Sequence, residues 1–313
     1  MRLIFCGTPQ FAVPTLEAMI AAQHDIALVV TQPDRPVGRT QELVAPPVKQ
    51  TAHASGLSVT QPDKIRNNVE FRARLEAIQP DAIVVVAYGR IIPAWMLALP
   101  RLGCINLHGS LLPKYRGAAP IQWAVAMGET VTGNTTMLLE EGLDTGPILL
   151  QQMLVIEPEQ TAADLFPALA EQGAPLVIET LAGLDDGSIR PRAQDHALAT
   201  LAPILEREDG RMDFAVRTAG ELVNRWRGFQ PWPGAFTAFA GKKLIVHRMN
   251  VASVPDEIAE PGTLRVGNGR MLVACAGRTW LELVEVQLEG KKRVTAAEFL
   301  RGLHATDASL RLG

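Results

Sequence analysis

An α/β fold, a doubly wound and mostly parallel Rossmann-like sheet followed by a small OB-like β-barrel domain, is predicted by three features of this 313-residue sequence. Short β-rich runs alternate with helical apolar spacing through the first half. Runs such as Ile83-Val84-Val85-Val86 are apolar without alternation, as strands covered by helices on both faces must be. The last third changes to short β-like runs separated by Gly-Lys-Lys, Pro-Gly, Gly-Asn-Gly and Ala-Gly turns, the habit of a small antiparallel barrel. A length about twice that of one domain agrees with two compact units.

In chain order, 3–6, 26–31, 57–60, 83–87 and 104–107 are predicted as strands, with helices at 11–22, 46–55 and 69–78 between them. Pro14 falls early enough in the first helix to be tolerated. The richest apolar window, 82–100, is interrupted by Gly89, Arg90 and Pro93, so it reads as strand, turn and short helix, not a membrane span. Strands at 133–139 and 148–156 flank a polar turn and give way to a helix at 162–181. The stretch 186–211 is polar and turn-rich. It separates a first domain, 1–188, from a second, 209–313, with the linker at 189–208. After a helix at 214–226, strands are predicted at 236–239, 243–249, 262–266, 270–274 and 279–286.

Charge is unevenly spread. Residues 1–203 carry 14 Lys and Arg against 20 Asp and Glu, while 204–313 carry 16 against 13. A mildly basic second half is compatible with an anionic partner, nucleic acid included, but falls far short of a strongly basic DNA binder. Three widely spaced cysteines make neither a disulfide framework nor a close ligand pair, and no two of the six His lie within four residues of each other, so no metal is expected. The opening residues read as a core strand and not as a leader, which makes a cytoplasmic, bacterial protein the expectation. No G-x-G-x-x-G follows the first strand, and G-x-x-x-x-G-K-[ST] and G-x-S-x-G are absent. Dinucleotide oxidoreductases, P-loop enzymes and α/β-hydrolases thereby lose weight.

The chemistry concentrates in 104–120. Asn106 and His108 lie two apart at the C-terminal end of a predicted parallel strand, so they share a face at the edge where open α/β sheets bind ligands. An amide can hold a developing oxyanion and an imidazole can move a proton, the pair that acyl transfer needs. A His at a strand end also serves as a structural hydrogen-bonder, and Asn as a turn former. The loop Glu141-Gly142-Leu143-Asp144-Thr145-Gly146-Pro147 carries a carboxylate between glycines. Asp144 is a turn residue on its own, and a third catalytic group if the loop folds over the same edge.

The run Asn106-Leu107-His108-Gly109-Ser110-Leu111-Leu112-Pro113-Lys114-Tyr115-Arg116-Gly117-Ala118-Ala119-Pro120-Ile121-Gln122-Trp123, followed by Gly142-Leu143-Asp144-Thr145-Gly146, resembles the folate-dependent formyltransferases. Phe5-Cys6-Gly7-Thr8-Pro9, Thr31-Gln32-Pro33-Asp34-Arg35 and Pro231-Trp232-Pro233-Gly234 extend the likeness to nearly the whole chain, toward the tRNA-acting branch. The resemblance implies transfer of the formyl group of 10-formyltetrahydrofolate to the free amino group of initiator methionyl-tRNA, by a monomer without metal. It implies that Asn106, His108 and Asp144 are catalytic and that Ser110, Leu111, Leu112 and Pro113 contact the reduced folate. It further implies that Arg35 and Arg39 reach tRNA phosphates and that the OB-like domain holds the tRNA body. Thr40-Gln41-Glu42 stand where basic residues are common in that branch, implying a weaker electrostatic grip. A relative that formylates a small amine, or an RNA-binding module that has lost activity, are the competing expectations. The second domain argues against the former and the retained trio against the latter.

Overall fold

The computed structural model describes residues 1–38, 41–253, 258–302 and 311–313. Its elements are β1 (Arg2–Gly7), α1 (Val13–Ala21), β2 (Asp25–Val30), β3 (Arg35–Val37), β4 (Glu42–Val44), α2 (Pro47–Ala54), β5 (Val59–Thr60), α3 (Val69–Ile78), β6 (Ala82–Val86), α4 (Ala94–Leu97) and β7 (Cys104–His108). There follow α5 (Pro120–Ala126), β8 (Val131–Leu138), β9 (Ile148–Val155), α6 (Ala162–Asp185), α7 (Ala219–Gly228), β10 (Phe236–Phe239), β11 (Lys242–Ala252), β12 (Leu264–Gly267), β13 (Arg270–Cys275), β14 (Thr279–Leu288), β15 (Val294–Thr295) and α8 (Ala296–Arg301).

The first sheet has the order β5-β2-β1-β6-β7-β8-β9. Strands β5 through β7 run parallel, and β8 and β9 antiparallel. Alternation sorts its residues onto two buried faces. Leu3, Phe5, Val84, Val86, Ile105 and Leu107 pack with residues of α1, α2 and α6. Ile4, Cys6, Ile83, Val85 and Cys104 pack with α3 and α4. Both faces are covered, so the strands are apolar on both sides, as the doubly wound reading requires.

The second sheet is antiparallel, in the order β10-β11-β14-β13-β12, with β15 on β14. Leu244, Val246, Met271, Val273, Leu281 and Leu283 form its core beneath Ala219 and Leu222 of α7 and Ala296 of α8. The expected barrel is not closed: among the described residues no ladder joins β10 to β12. Instead Arg211 bridges Phe236 and Thr263 bridges Arg311, and beyond the latter the Leu312 and Gly313 amides donate to the Gly262 and Ala238 carbonyls at 2.9 and 3.2 Å, which satisfies backbone groups at both edges without a ladder. Helix α7 begins five residues later than the sequence spacing predicts. Thr218 and Glu221 form a reciprocal capping box there, which sets the first turn.

By chain contacts, one compact unit comprises 1–121, 131–156 and 164–203, and the other 122–130, 157–163 and 204–313.

Candidate active site

Strand order reverses between β1 and β6, since β2 and β5 lie to one side of β1 and the chain returns on the other. The crevice beyond the C-terminal ends of such strands is where this architecture places ligands. Its rim is tied together by polar side chains. Thr8 Oγ1 donates to the Tyr88 carbonyl (3.2 Å) and accepts from the Gln32 amide (3.3 Å), and Gln32 Nε2 donates to the Tyr88 carbonyl (3.1 Å). Asp34 accepts from Lys49 Nζ (2.9 and 2.8 Å) and Gln61 Nε2 (2.7 Å), and the Lys49 and Gln61 hydrogen bonds hold its carboxyl below the usual carboxylate range. Arg35 follows at once, exposed at the start of the β3–β4 hairpin, on which Leu43 is 72% exposed. Arg39 lies outside the described residues.

Ile105 and Leu107 of β7 enter the core, so the intervening Asn106 and His108 occupy the opposite face, as their spacing predicts. Asn106 is half-buried, and among the described residues no protein group hydrogen-bonds its carboxamide. His108 is buried. Its Nε2 lies 2.9 Å from the Tyr115 carbonyl and its Nδ1 3.7 Å from Asp144 Oδ2. A carbonyl only accepts, so Nε2 carries the hydrogen in the neutral ring. The lone pair is left on Nδ1, on the side of Asp144.

Asp144 reaches this position from a loop in which its own φ is +49°, a left-handed conformation that Asp tolerates better than most residues. Oδ2 also accepts from the Gly117 amide at 2.8 Å. The Asp144 and Gly146 carbonyls accept from Gln194 Nε2 at 2.8 and 2.7 Å, and Gln194 Oε1 accepts from Arg116 Nε and Nη2 at 3.1 and 2.7 Å. The structure therefore brings Asn106, His108 and Asp144 to one strand end.

The other sequence-predicted residues differ among themselves. Ser110 is buried and donates to the Lys114 carbonyl (2.7 Å). Leu112 packs with Met137 and Ile148, its amide donating to Thr135 Oγ1 and its carbonyl accepting from Gln151 Nε2. Leu111 and Pro113 are half-buried. Thr135, Gln151, Gln194 and Arg116 complete this neighbourhood and were not singled out from sequence. Arg116 alone carried a signal, inside the 104–120 run. The other three are polar residues in unremarkable strand or turn positions, made significant only by what the fold lays beside them.

Comparison with known proteins follows the same division of the chain. The formyl transferase profile matches residues 1–181, and that of the formyl transferase C-terminal domain matches 204–304. A methionyl-tRNA formyltransferase of Acidobacterium capsulatum is 68% identical over 302 residues, 96% of either chain. One of Koribacter versatilis is 58% identical over 98% of this chain and 97% of its own. Among solved structures, WlaRD, a sugar 3N-formyl transferase, superposes with a TM-score of 0.66 at 18% identity over 93% of this chain and 99% of its own. An N-formyltransferase of Helicobacter canadensis gives 0.65 at 18% identity over 90% of this chain and 98% of its own, a likeness of fold. Two domain profiles matched in order, and close sequence identity sustained from end to end, establish that the chain belongs to the formyl transferase family.

Proposed function

We propose that this chain transfers the formyl group of 10-formyltetrahydrofolate to the free amino group of initiator methionyl-tRNA, for translation initiation. The observation that carries the reading is the strand-end trio Asn106, His108 and Asp144 in a chain whose relatives of that name match it through the second unit as well as the first.

Formyl transfer forms a C–N bond between the amine and the formyl carbon and breaks the bond from that carbon to the folate nitrogen. The Asn106 carboxamide donates to the oxygen that becomes negative as the tetrahedral intermediate forms. His108 Nδ1 accepts the proton released by the amine and returns it to the departing folate nitrogen, and Asp144 stabilises the imidazolium between these events. Ser110, Leu111, Leu112 and Pro113 form the wall against which the reduced folate lies. With Ser110 and Leu112 engaged internally, that wall is presented by backbone and by Leu111 and Pro113. Arg35 and Arg39 contact tRNA phosphates, and the second unit holds the tRNA body. The enzyme acts as a monomer in the cytoplasm. Among the described residues no helix is long and apolar enough to cross a membrane.

The test is transfer of labelled formyl from 10-formyltetrahydrofolate to charged initiator tRNA by the purified protein. Label in the initiator aminoacyl-tRNA, and none in free methionine or charged elongator tRNA, is the expected result. Label only in small amines would overturn it.

A further inference from the structure

We propose that Gln194 is a positioning residue for the reaction, clamping the Asp144 loop to Arg116 and thereby keeping the carboxylate at His108; this rests on the formyl-transfer reading above. Gln194 lies in a polar, turn-rich stretch that carries no motif, yet it is buried to 6% exposure. Every hydrogen-bonding capacity of its carboxamide is used. Its two N–H groups serve the Asp144 and Gly146 carbonyls, and its oxygen takes both forks of Arg116, itself 7% exposed.

The clamp belongs to a longer strap. Arg192 exchanges backbone hydrogen bonds with Ile148 at the far end of the Asp144 loop, both at 2.8 Å. Thr200 Oγ1 accepts from the Tyr115 amide at 2.9 Å, and the Thr200 carbonyl accepts from the Arg116 amide at 2.8 Å. Ala202 donates to the Arg116 carbonyl at 2.7 Å. The His108 ring meets the Tyr115 carbonyl at Nε2 and the Asp144 carboxylate near Nδ1. One strand of chain, 192–202, thus holds both. The first fixes which nitrogen carries the hydrogen and the second meets the proton on the other.

Gln194 touches neither the reacting atoms nor His108, so its effect runs through Asp144. The loop has no regular structure of its own, and Asp144 sits there at a positive φ. Without the two donors, the loop's carbonyls turn to water and the carboxylate, to which the Gly117 amide still donates, shifts with its loop. Displacement of a catalytic partner by about an ångström lowers turnover by up to about a hundredfold while binding of remote substrate parts is retained.

Two variants and two measurements test this. Gln194→Met keeps length and removes all four hydrogen bonds; Gln194→Glu keeps the pairing with Arg116 and loses both donors, so a folding defect in the first leaves the second to decide. In either, kcat is expected to fall by about 10- to 100-fold with KM for both substrates within about threefold. In an Asp144→Asn background the same substitution should change kcat by less than about twofold, because the group it positions is already gone. Independently of any activity, backbone hydrogen exchange in 141–147 should accelerate in both variants. Unchanged exchange in 141–147, parental kcat, or an equal loss of kcat in the two backgrounds would overturn the proposal. If the parent chain fails to formylate the tRNA, the functional reading falls alone, and the exchange measurement still decides whether Gln194 clamps the loop.

Discussion

At the scale of single residues, the neutral His108 ring has its hydrogen committed to a backbone carbonyl, so the nitrogen left free is the one beside Asp144. On the proposed mechanism, His108→Ala removes the proton acceptor and Asn106→Ala removes the donor to the developing oxyanion. Each is expected to lower kcat for formyl transfer by a factor on the order of 10²–10⁴ with the far-ultraviolet circular dichroism unchanged. Turnover close to parental in either folded variant excludes that residue from the mechanism. The cysteines allow a second expectation. Burial pushes the Cys104 and Cys275 thiols up to about 12 and raises Cys6 well above the usual thiol range, Cys104 adding to the effect on Cys6. Because the shift is upward, all three stay protonated and unreactive at pH 8. A thiol reagent should label the native protein slowly there and label all three rapidly in denaturant; fast native labelling at pH 8 contradicts their burial.

At the scale of elements, the turn after β7 is where backbone geometry meets chemistry. Gly117 has φ +122°, and a Cβ there would sit 2.6 Å from the Ala202 carbonyl oxygen, while its amide donates to Asp144. Gly117→Ala is therefore expected to cost about 1–3 kcal/mol in urea unfolding and to lower kcat as well. A variant with parental stability would show that the Ala202 segment yields freely. The same region shows what a sequence can and cannot disclose. Strands β1, β2 and β6 were legible because unbroken apolar runs admit few other readings, and Asn106 with His108 on β7 was legible because a spacing of two on a strand fixes a shared face. The β3–β4 hairpin was not, being three-residue strands in a polar segment, nor was α5, whose seven residues give too short a pattern for helical periodicity. The approach of Asp144 was not legible either. It depends on a positive φ and on partners 27 and 50 residues away, which no local pattern encodes.

At the scale of the whole molecule, the two compact units do not divide the sequence at one point. Segments 122–130 and 157–163 fold with 204–313. Phe229, fully buried, meets the ring of Trp123 edge-to-face at 5.4 Å, and the Arg225 guanidinium lies 4.7 Å from the Phe229 centroid. Arg227 donates to the carbonyls of Glu157 and Gln160 at 3.1 and 2.8 Å. Phe229→Ala is expected to destabilise the second unit by about 3–5 kcal/mol and to move its urea transition earlier. A shift below about 1 kcal/mol would mean that these segments are held by other contacts. This interleaving matters on the ribosome, where the chain appears in order. Two stretches from its middle, Trp123 among them, emerge before the residues that cover them exist. At about 5–20 residues per second they wait on the order of ten seconds for their partners, an interval in which the finished fold does not yet shield them.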